Sequence, residues 1–422
     1  MKVILKSLIA FLFVVQCTDR EHKNPIDPKN PDTHGKPGGV KIYSEYDNIT
    51  LSWWSIDVKN LIGYNIYRKI SGESSFSLIH LTPPDSNIFF DRNVTYNLKY
   101  TYSISALTSS YESHHSDSVT ITPGPTNIWV TDVDNYRIIK ITHDGLHEIE
   151  HIPVDGNPWD IAVDPQDRSI WYSDVLWGEI YQIIDNSWKR FISPTSYWQP
   201  VDIAFDDVRK ILWVADERGK VVRISQTTTD SLLEIDNNNF VSPYSVAIDK
   251  QTGKCWLADP LSKKVFNISN NGQVVENATT VFIRPMSVSV NQADGSCWVA
   301  DSSRIVKLLP DGTLSFSIET DLLYANTLDV NKNTGEIWVV DFENSYNDAR
   351  LIKFDAQGNK LLQVTGFNYP GKVAVNLYDN GCVVVDTGNG RIVRLSSEGD
   401  ILSEIGGYSY PQGIVVEYSA AL

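Results

Sequence analysis

The sequence predicts an all-β protein in which a seven-bladed β-propeller follows a smaller β-sandwich. An apolar strand motif ending in Asp occurs seven times, at 128–132, 170–174, 212–216, 255–259, 297–301, 337–341 and 382–386. Successive copies are 40 to 45 residues apart, a spacing typical of the four-stranded blades of a propeller. The first copy has no strand before it in its repeat, while 411–417 reads as a first strand with none after it. Pairing these two ends would complete a seventh blade and leave no open edge.

The second repeat shows the four expected strands most clearly. We expect an inner strand at 158–164, a second strand at 170–174, a third at 179–184 and an outer strand at 188–192. In other repeats Gly253 and Gly295 mark the turn between the first two strands. Glycine supplies the positive φ that such tight turns require.

Composition limits the possible partners and the redox chemistry. A chain of 422 residues with 42% hydrophobic residues favours more than one packed domain. The formal charge of −16 argues against nucleic acid as a partner and against electrostatic docking on anionic lipid. Cys255, Cys297 and Cys382 share one repeat position that other copies fill with Ile or Leu. We therefore expect three buried free thiols rather than disulfides or a zinc site.

The amino-terminal segment indicates export. Residues 1–16 combine two lysines with a short apolar run, as a signal peptide does. The residues before Cys17 resemble a bacterial lipoprotein lipobox, although Gln16 stands where that motif has a small residue. The resemblance implies lipidation of Cys17 and, with Thr18 after it, an outer-membrane or cell-surface location with membrane contact through the lipid anchor only. An ordinary secreted chain or an uncleaved anchor is the alternative. Residues 17–36 are polar and Pro-rich and are expected to form a flexible tether.

Residues 37–124 are predicted to form the sandwich. Alternating strand patterns occur at 49–53, 63–68 and 100–106, and they suit two packed antiparallel sheets. The segment resembles a fibronectin type III domain, with Trp53 at the early-strand core position and Tyr100 at the tyrosine-corner position. This resemblance implies a spacer or adhesion module.

Residues 125–422 resemble the NHL-repeat propellers and the related YWTD type. The shared pattern is a Pro, an inner strand of small residues, an aromatic second strand ending in Asp, and a Gly-rich turn. Residues 386–395 and Gly399 follow this pattern closely, whereas Val383 and Ala325 depart from it. The resemblance implies blades around a central channel, and many NHL propellers have six blades where we predict seven.

Two sets of polar residues are candidates for function. The aspartates that end the second strands occur in every repeat, so we expect them to accept backbone hydrogen bonds from the next loop. The residues that open the inner strands converge on the channel mouth, where the repetition breaks down as a specific site requires. The predicted ligand-binding residues are Trp159, Asp160, Trp177, Asp202, Tyr244, Asn326, Lys372 and Gln412. Trp159 and Trp177 are expected to approach the same face and to stack on a sugar ring or a partner protein.

A metal site at the channel is one further expectation. Asp160 and Asp202 lie in adjacent repeats, and their carboxylates suit a hard cation such as Ca²⁺. Gluconolactonase-like propellers use acidic and Asn ligands, and Asn326 and Asp329 leave that option open. The alternative is that small polar residues merely fit a crowded, hydrated axis.

Histidine placement bears on the enzyme hypothesis. NHL-like lyases, as a family, place their metal on histidines around the channel. The histidines of this propeller all lie in the first repeat, at His143, His147 and His151. Such an arrangement does not surround the axis.

Two main functional hypotheses follow. The first is a non-enzymatic, exported and lipid-anchored monomer whose propeller binds a protein or carbohydrate ligand without a cofactor. The second is a metal-dependent hydrolase or lyase, of lactonase type, with an acidic site at the channel. A purely structural role in an envelope assembly is a third. No Gly-x-Ser-x-Gly, phosphate-binding loop or HExxH motif occurs, and the sequence favours the first hypothesis.

Overall fold

The structure, a computed structural model, describes residues 22–419 except 186, 193–197, 227–230, 237, 277–280, 320 and 346–347. The predicted signal peptide at 1–16 and the predicted lipidation site Cys17 lie outside these residues. The described chain is built of β-strands with two short 3₁₀ helices, Val133–Asn135 and Thr387–Asn389. Within it, no helix is both long and apolar enough to traverse a lipid bilayer.

The first seven strands form two antiparallel sheets. Their order is β1-β2-β5 in one sheet and β4-β3-β6-β7 in the other. The strands are β1 (Lys41–Glu45), β2 (Asn48–Ser52), β3 (Leu61–Ile70), β4 (Ser77–Thr82), β5 (Ile88–Asp91), β6 (Tyr100–Thr108) and β7 (Val119–Ile121). Trp53 is buried and packs edge-on against Tyr64 at 5.2 Å between ring centroids. Tyr100 is buried as well.

The described part of the predicted tether is not extended. Residues 22–36 form a series of turns in which Ile26 is buried. Asn30 is buried too, and its Nδ2 donates to the carbonyl of Asn24 at 3.1 Å. An apolar side chain and a satisfied polar one fix this segment as packed structure.

The remaining strands form four-stranded antiparallel sheets, each made of consecutive strands except the first. We number these sheets along the chain. Sheet 1 contains β8 (Thr126–Asp132), β9 (Arg137–Ile141), β10 (Glu148–Pro153) and the last strand of the chain; sheet 2 contains β11 (Pro158–Val163), β12 (Ile170–Asp174), β13 (Glu179–Ile184) and β14 (Ser187–Ile192); sheet 3 contains β15 (Pro200–Asp206), β16 (Ile211–Asp216), β17 (Lys220–Ser225) and β18 (Ser231–Asp236); sheet 4 contains β19 (Ser245–Asp249), β20 (Lys254–Asp259), β21 (Lys264–Ile268) and β22 (Val274–Glu276).

The carboxyl-terminal half continues the same arrangement. Sheet 5 contains β23 (Pro285–Val290), β24 (Cys297–Asp301), β25 (Arg304–Leu308) and β26 (Leu314–Ile318); sheet 6 contains β27 (Ala325–Val330), β28 (Ile337–Ser345), β29 (Asp348–Phe354) and β30 (Lys360–Phe367); sheet 7 contains β31 (Lys372–Asn376), β32 (Gly381–Asp386), β33 (Arg391–Leu395) and β34 (Ile401–Gly406); the last strand is β35 (Pro411–Tyr418).

Sheet 1 is assembled from both ends of the repeat region. Strand β35 pairs antiparallel with β8 and places Val415 opposite Trp129. The Trp129 indole N–H donates to Glu417 Oε2 at 3.0 Å, across 288 residues of sequence. The inner strand of this sheet thus comes from the end of the chain, as the unmatched sequence motifs predicted.

The cores lie between neighbouring sheets. The second-strand tryptophans of sheets 2 to 6 are all buried: Trp171, Trp213, Trp256, Trp298 and Trp338. Trp171, for example, stacks on Phe205 of the next sheet at 6.1 Å between ring centroids. Burying such a side chain contributes about 2–3 kcal/mol relative to exposure. This alternation of sheet and packed interface identifies the fold as a β-propeller.

The three predicted thiols are buried where the strand motif placed them. Cys255, Cys297 and Cys382 are free and have no exposed surface. Burial raises the pKa of each thiol well above its usual value. They therefore act as small apolar side chains, as the sequence predicted.

The chain divides into two compact units. One comprises the residues up to Lys41 together with Leu51–Phe89 and Tyr100–Thr120. The other comprises Ile42–Thr50, Phe90–Lys99 and the chain from Ile121 onward. In this second unit the β1–β2 turn meets the propeller, because Lys140 Nζ lies 2.6 Å from Glu45 Oε1.

Candidate functional site

The inner strands open onto a cavity of about 100 Å³ on the propeller axis. Seven of the eight predicted ligand-binding residues line it: Trp159, Asp160, Asp202, Tyr244, Asn326, Lys372 and Gln412. They come from sheets 1, 2, 3, 4, 6 and 7. The strand period alone thus brought together side chains that are far apart in sequence.

A bulge at the start of the inner strands turns these side chains toward the axis. The register with the second strand shifts between Pro158 and Ile161 in sheet 2 and between Pro200 and Asp202 in sheet 3. Sheets 1, 5 and 6 have the same irregularity. A bulge inserts an unpaired residue and re-aims its side chain. In sheets 1, 2, 3 and 5 a Pro precedes the bulge and has no N–H to leave unsatisfied.

Polar side chains at the inner-strand starts connect neighbouring sheets. The Ile203 amide donates to Asp160 Oδ2 at 2.9 Å, and the Val246 amide donates to Asp202 Oδ2 at 2.8 Å. The Val288 amide donates to a Ser side chain, Ser245 Oγ, at 3.3 Å. Each side chain caps the next inner strand, so these residues hold the ring of strands together. We call Asp160, Asp202, Ser245, Ser287, Thr327, Lys372 and Gly413 the axial ring.

The Lys372 ammonium bridges the two acidic members of the axial ring. Its Nζ lies 2.8 Å from both oxygens of Asp160 and 2.8 Å from Asp202 Oδ1. Gly413 stands between Lys372 and Asp160 in the ring. A Cβ at Gly413 would lie 2.7 Å from the Asp160 Cα and 2.9 Å from its Oδ1, so only glycine leaves room for this close approach.

The two carboxyl groups titrate differently because they share one ammonium group. Burial, opposed by Lys372 and reinforced by Asp202, raises the pKa of Asp160 to about 7. Burial also acts to raise the pKa of Asp202, but Lys372 and hydrogen bonds outweigh it and hold that pKa below its usual value. The pKa of Lys372 lies above its usual value because the attraction of both carboxylates exceeds the effect of burial. At neutral pH the three groups form a balanced cluster.

This geometry bears on the predicted metal ligands. The Lys372 ammonium occupies the position between Asp160 and Asp202, so a cation bound there would have to displace it. Asp329 is also engaged, since its oxygens accept the Val375 amide at 2.8 Å and the Ser289 hydroxyl at 2.8 Å. Across the described ranges, no three His, Cys, Asp or Glu side chains are grouped to hold a metal ion.

Aromatic side chains surround the cavity mouth. The Trp159 and Tyr410 rings lie 6.3 Å apart, and the Phe342 and Tyr369 rings stack at 6.1 Å. Phe342, Tyr369 and Trp159 line the cavity itself. Sequence reasoning did not select Tyr369 or Tyr410, although each immediately precedes the Pro that opens an inner strand. Their place directly before this Pro is the sequence feature that could have identified them as residues of the cavity mouth.

Trp177 is the exception among the predicted residues. It does not line the axial cavity but a separate open cleft of about 700 Å³ with Tyr136, Glu179 and Tyr181. We expected Trp159 and Trp177 to approach the same face of the propeller; the structure places the two side chains in different cavities. Trp159 lies on the inner strand, whereas Trp177 follows the second strand, roughly 5 Å further from the axis. Tyr197, a further aromatic of this repeat, lies outside the described residues.

The histidines are remote from the cavity. His143 is buried, and its Nδ1 lies 2.5 Å from Thr126 Oγ1 in sheet 1. Burial lowers the pKa of His143 to about 3, so the ring is neutral. None of the residues lining the cavity is a histidine.

Comparison with solved structures supports the fold. Virginiamycin B lyase from Staphylococcus aureus matches with a TM-score of 0.55 and 15% identity, over 69% of this chain and 96% of that one. A functionally unknown protein from Desulfotomaculum acetoxidans matches with a TM-score of 0.56 and 15% identity, over 69% and 99%. Apo AztD from Citrobacter koseri matches with a TM-score of 0.51 and 12% identity, over 69% and 97%. Such low identities show a shared β-propeller fold alone.

Sequence comparison adds no family. No protein-family model matches the chain, and no curated protein matches it. Function must therefore be argued from the residues of the site.

Proposed function

We propose that this protein is an exported, lipid-anchored binding protein of the cell envelope. Its amino-terminal sheets form a fibronectin type III-like module, and its seven four-stranded sheets form an NHL-like propeller that carries the ligand site. The ligand is the end of a carbohydrate chain, which enters the axial cavity. The propeller does no chemistry on it.

The composition of the cavity supports a carbohydrate. Trp159 and Tyr369 offer flat rings on which a sugar can stack. Asn326 and Gln412 offer amide donors and acceptors for sugar hydroxyls. This mixture of aromatic and neutral polar groups is the usual lining of a small-molecule site.

The state of the axial charges argues against a metal-dependent reaction. A metal ligand needs carboxylate oxygens that are free to bind the ion. Here Asp160 and Asp202 are held by Lys372 and by backbone amides. This saturated cluster is the single observation that carries the proposal, because it makes the acidic pair structural.

Cavity size indicates how much ligand enters. A volume of about 100 Å³ is below the roughly 300–1,000 Å³ of sites that enclose a whole drug-sized ligand. We therefore expect one terminal sugar to enter while the rest of the chain remains outside. A side chain of a protein ligand is the competing occupant.

Glycan-array binding of the full exported domain tests the proposal. We expect Trp159→Ala to weaken binding of the preferred glycan at least about tenfold. Trp54→Ala is the matched control, since Trp54 is 71% exposed and does not line the cavity. Binding should survive a chelator. Retention of full glycan affinity in both Trp159→Ala and Gln412→Ala would refute a site in this cavity, and capture of a protein but of no glycan would identify a protein ligand.

The alternative is a metal-dependent hydrolase or lyase at Asp160 and Asp202. Two adjacent buried carboxylates favour it, and one structural relative is named a lyase, although that likeness concerns the fold. This alternative requires Lys372 to leave the carboxylates and a divalent ion such as Ca²⁺ to replace it. Stoichiometric metal in the purified protein, lost in Asp202→Ala together with a lactonase-type activity, would establish the alternative over our proposal.

The location is testable separately. We expect labelled palmitate to enter the wild-type protein and not Cys17→Ser, with the label in the membrane fraction. Label that persists in Cys17→Ser would contradict the lipid anchor while leaving the cavity proposal unaffected.

A further inference from the structure

Sheet 2 breaks a pairing that the other sheets keep. In each sheet one residue of the third strand pairs with the aspartate of the repeated second-strand motif, and in six sheets that residue is basic: Arg137, Lys220, Lys264, Arg304, Arg350 and Arg391. In sheet 2 it is Glu179, opposite Asp174. Two acidic residues therefore pair at a position where sheets 1, 5, 6 and 7 place an Arg–Asp ion pair.

In sheets 1, 5, 6 and 7 the basic residue is an arginine that donates to Oδ2 of the aspartate. Arg391 Nε lies 2.7 Å from Asp386 Oδ2, and Arg304 Nε lies 2.7 Å from Asp301 Oδ2. Asp174 Oδ1 accepts backbone amides, but Asp174 Oδ2 is buried without any hydrogen-bond partner. A buried carboxylate oxygen without a donor is costly unless a cation compensates it.

Sheet 3 is an instructive comparison. Asp216 Oδ2 also lacks a hydrogen bond. There, however, Lys220 and Arg218 supply positive charge to Asp216. Only in sheet 2 is the strand-end aspartate opposed by a further negative charge.

Asp174 Oδ2 lies against the wall of the cleft that contains Trp177. Gly156 forms part of that wall, and a Cβ built on it would be 1.8 Å from Asp174 Oδ2 and 2.7 Å from Trp177 Cδ1. Its φ of +105° is also one that glycine adopts readily. Because Gly156 has no side chain, the buried Asp174 carboxylate and the exposed Trp177 indole can lie close to each other at this wall.

Aromatic rings line the same cleft. Trp177 is 56% exposed and Tyr136 is 50% exposed. Tyr181 is fixed by stacking on Tyr172 at 4.9 Å between centroids, and its hydroxyl donates to Glu179 Oε2 at 2.6 Å. Aromatic faces beside carboxylates attract organic cations through both charge and the ring quadrupole.

Arg190 does not fill the missing position. Its Nη1 lies 3.6 Å from Glu179 Oε1, and its side chain is 58% exposed. An ion pair at that distance with an exposed guanidinium contributes little. Asp155 adds a further carboxylate to the cleft, so negative charge remains in excess.

We propose that the cleft formed by Tyr136, Asp155, Trp177, Glu179 and Tyr181 binds an organic cation, an alkylammonium or guanidinium group carried by a ligand. The bound group supplies the positive charge that sheet 2 lacks beside Asp174. This site is separate from the axial cavity. It does not depend on the function proposed for that cavity.

Titration of the protein with choline and with arginine amide tests the proposal. Tryptophan fluorescence and NMR monitor the binding. The matched neutral probes are 3,3-dimethyl-1-butanol and citrulline amide. We expect at least one cation to bind at least about tenfold more tightly than its neutral counterpart. Choline preference would identify a quaternary ammonium ligand, and arginine amide preference would identify a guanidinium ligand.

Variants locate the binding. Glu179→Arg restores the pairing of the other sheets, so we expect it to abolish cation binding while raising the melting temperature. Trp177→Ala should weaken binding at least about tenfold. Trp188→Ala is the control, because Trp188 is an exposed tryptophan of the same sheet outside the cleft, and Trp159→Ala should also bind normally.

Three results would overturn the proposal. They are equal binding of charged and neutral probes, unchanged cation binding in the folded Glu179→Arg variant, and no saturable binding of either cation by the wild-type protein. The melting temperature of each variant shows that it is folded, so loss of binding is not confused with unfolding.

Discussion

The strand-end aspartates and the axial ring belong to the same repeats, but the first set has one residue type throughout and the second set varies from repeat to repeat. All seven strand-end residues are aspartate, and all are fully buried. The axial ring contains acids, hydroxyls, a lysine and a glycine at equivalent positions. Each set accepts backbone amides, yet only one has kept a single residue type.

The difference reflects how many bonds each position must make. Asp386 accepts the Asn368 amide at 2.8 Å, Asn389 Nδ2 at 2.8 Å and Arg391 Nε at 2.7 Å. Only a carboxylate can accept all three in that space. Ser245 in the axial ring accepts one amide, from Val288. A single acceptor can be a carboxylate or a hydroxyl, which leaves the axial ring free to acquire a specific function.

Replacing a strand-end aspartate should have the largest effect. Asp386→Ala leaves buried donors and the Arg391 guanidinium without their partner, so we expect a loss of about 3–5 kcal/mol in the free energy of unfolding. Urea denaturation measures it. Asp400→Ala is the control, an exposed aspartate of sheet 7. A loss below about 1 kcal/mol would show that these aspartates are not structural.

Lys372→Met should come second. It leaves Asp160 and Asp202 adjacent without a counter-ion, and we expect a loss of about 2 kcal/mol near pH 8, discounted because the Lys372 side chain is 31% exposed. Asp160 accepts a proton at lower pH, so the loss should shrink toward pH 5. Lys332→Met serves as the exposed-lysine control. A loss that does not change with pH would contradict the shared charge cluster.

Asp160→Asn should change the pH dependence of stability more than its magnitude. The folded-state pKa of Asp160 is raised from 3.8 to about 7, so the folded protein holds a proton that the unfolded chain has released. Stability due to this group is therefore present below about pH 4 and is lost as pH rises toward about 7. The pKa of Asp202 is held below its usual value, so this carboxyl affects stability only at lower pH.

The measurement is the difference in unfolding free energy between wild type and Asp160→Asn across that range. We expect the wild type to lose stability relative to the variant as pH rises from about 4.5 to about 7.5. Parallel curves would show that Asp160 does not titrate in this window.

Ser245→Ala should have the smallest effect. It removes one neutral hydrogen bond of 3.3 Å to the Val288 amide, which is worth about 1 kcal/mol or less. Ser315→Ala, at an exposed position of sheet 5, is the control for thermal denaturation. A loss as large as that of Asp386→Ala would remove the distinction between the two sets.

The sequence was sufficient where periodicity determines position. The repeat placed the strand ends, the buried cysteines and the convergence of seven candidate side chains. It also indicated that β35 would join β8, because each end lacked a partner. These features follow from hydrophobic alternation and from the need to avoid an open sheet edge.

Contacts across the axis were harder to predict. Lys372 and Asp160 occupy equivalent positions, but nothing in their spacing says that Lys372 bridges two acids. The relevant signal was Gly413 between them, which leaves an opening for the long side chain. The separation of Trp177 from the axial cavity was also hard to predict, because repeat spacing gives the position of a residue along the propeller axis more readily than its distance from that axis. The acidic residue Glu179, at a position that is basic in the other sheets, is the sequence feature that distinguishes sheet 2.

The joint between β8 and β35 also determines when the molecule can finish folding. Because Trp129 and Glu417 are 288 residues apart, the ring of sheets stays incomplete until β35 has been synthesised. Until then the edge of β8 that pairs with β35 is open, and an open apolar strand edge can pair incorrectly with other chains. A protease that removes β35 would expose the same edge of β8, so a single strand controls whether the ring of sheets is closed.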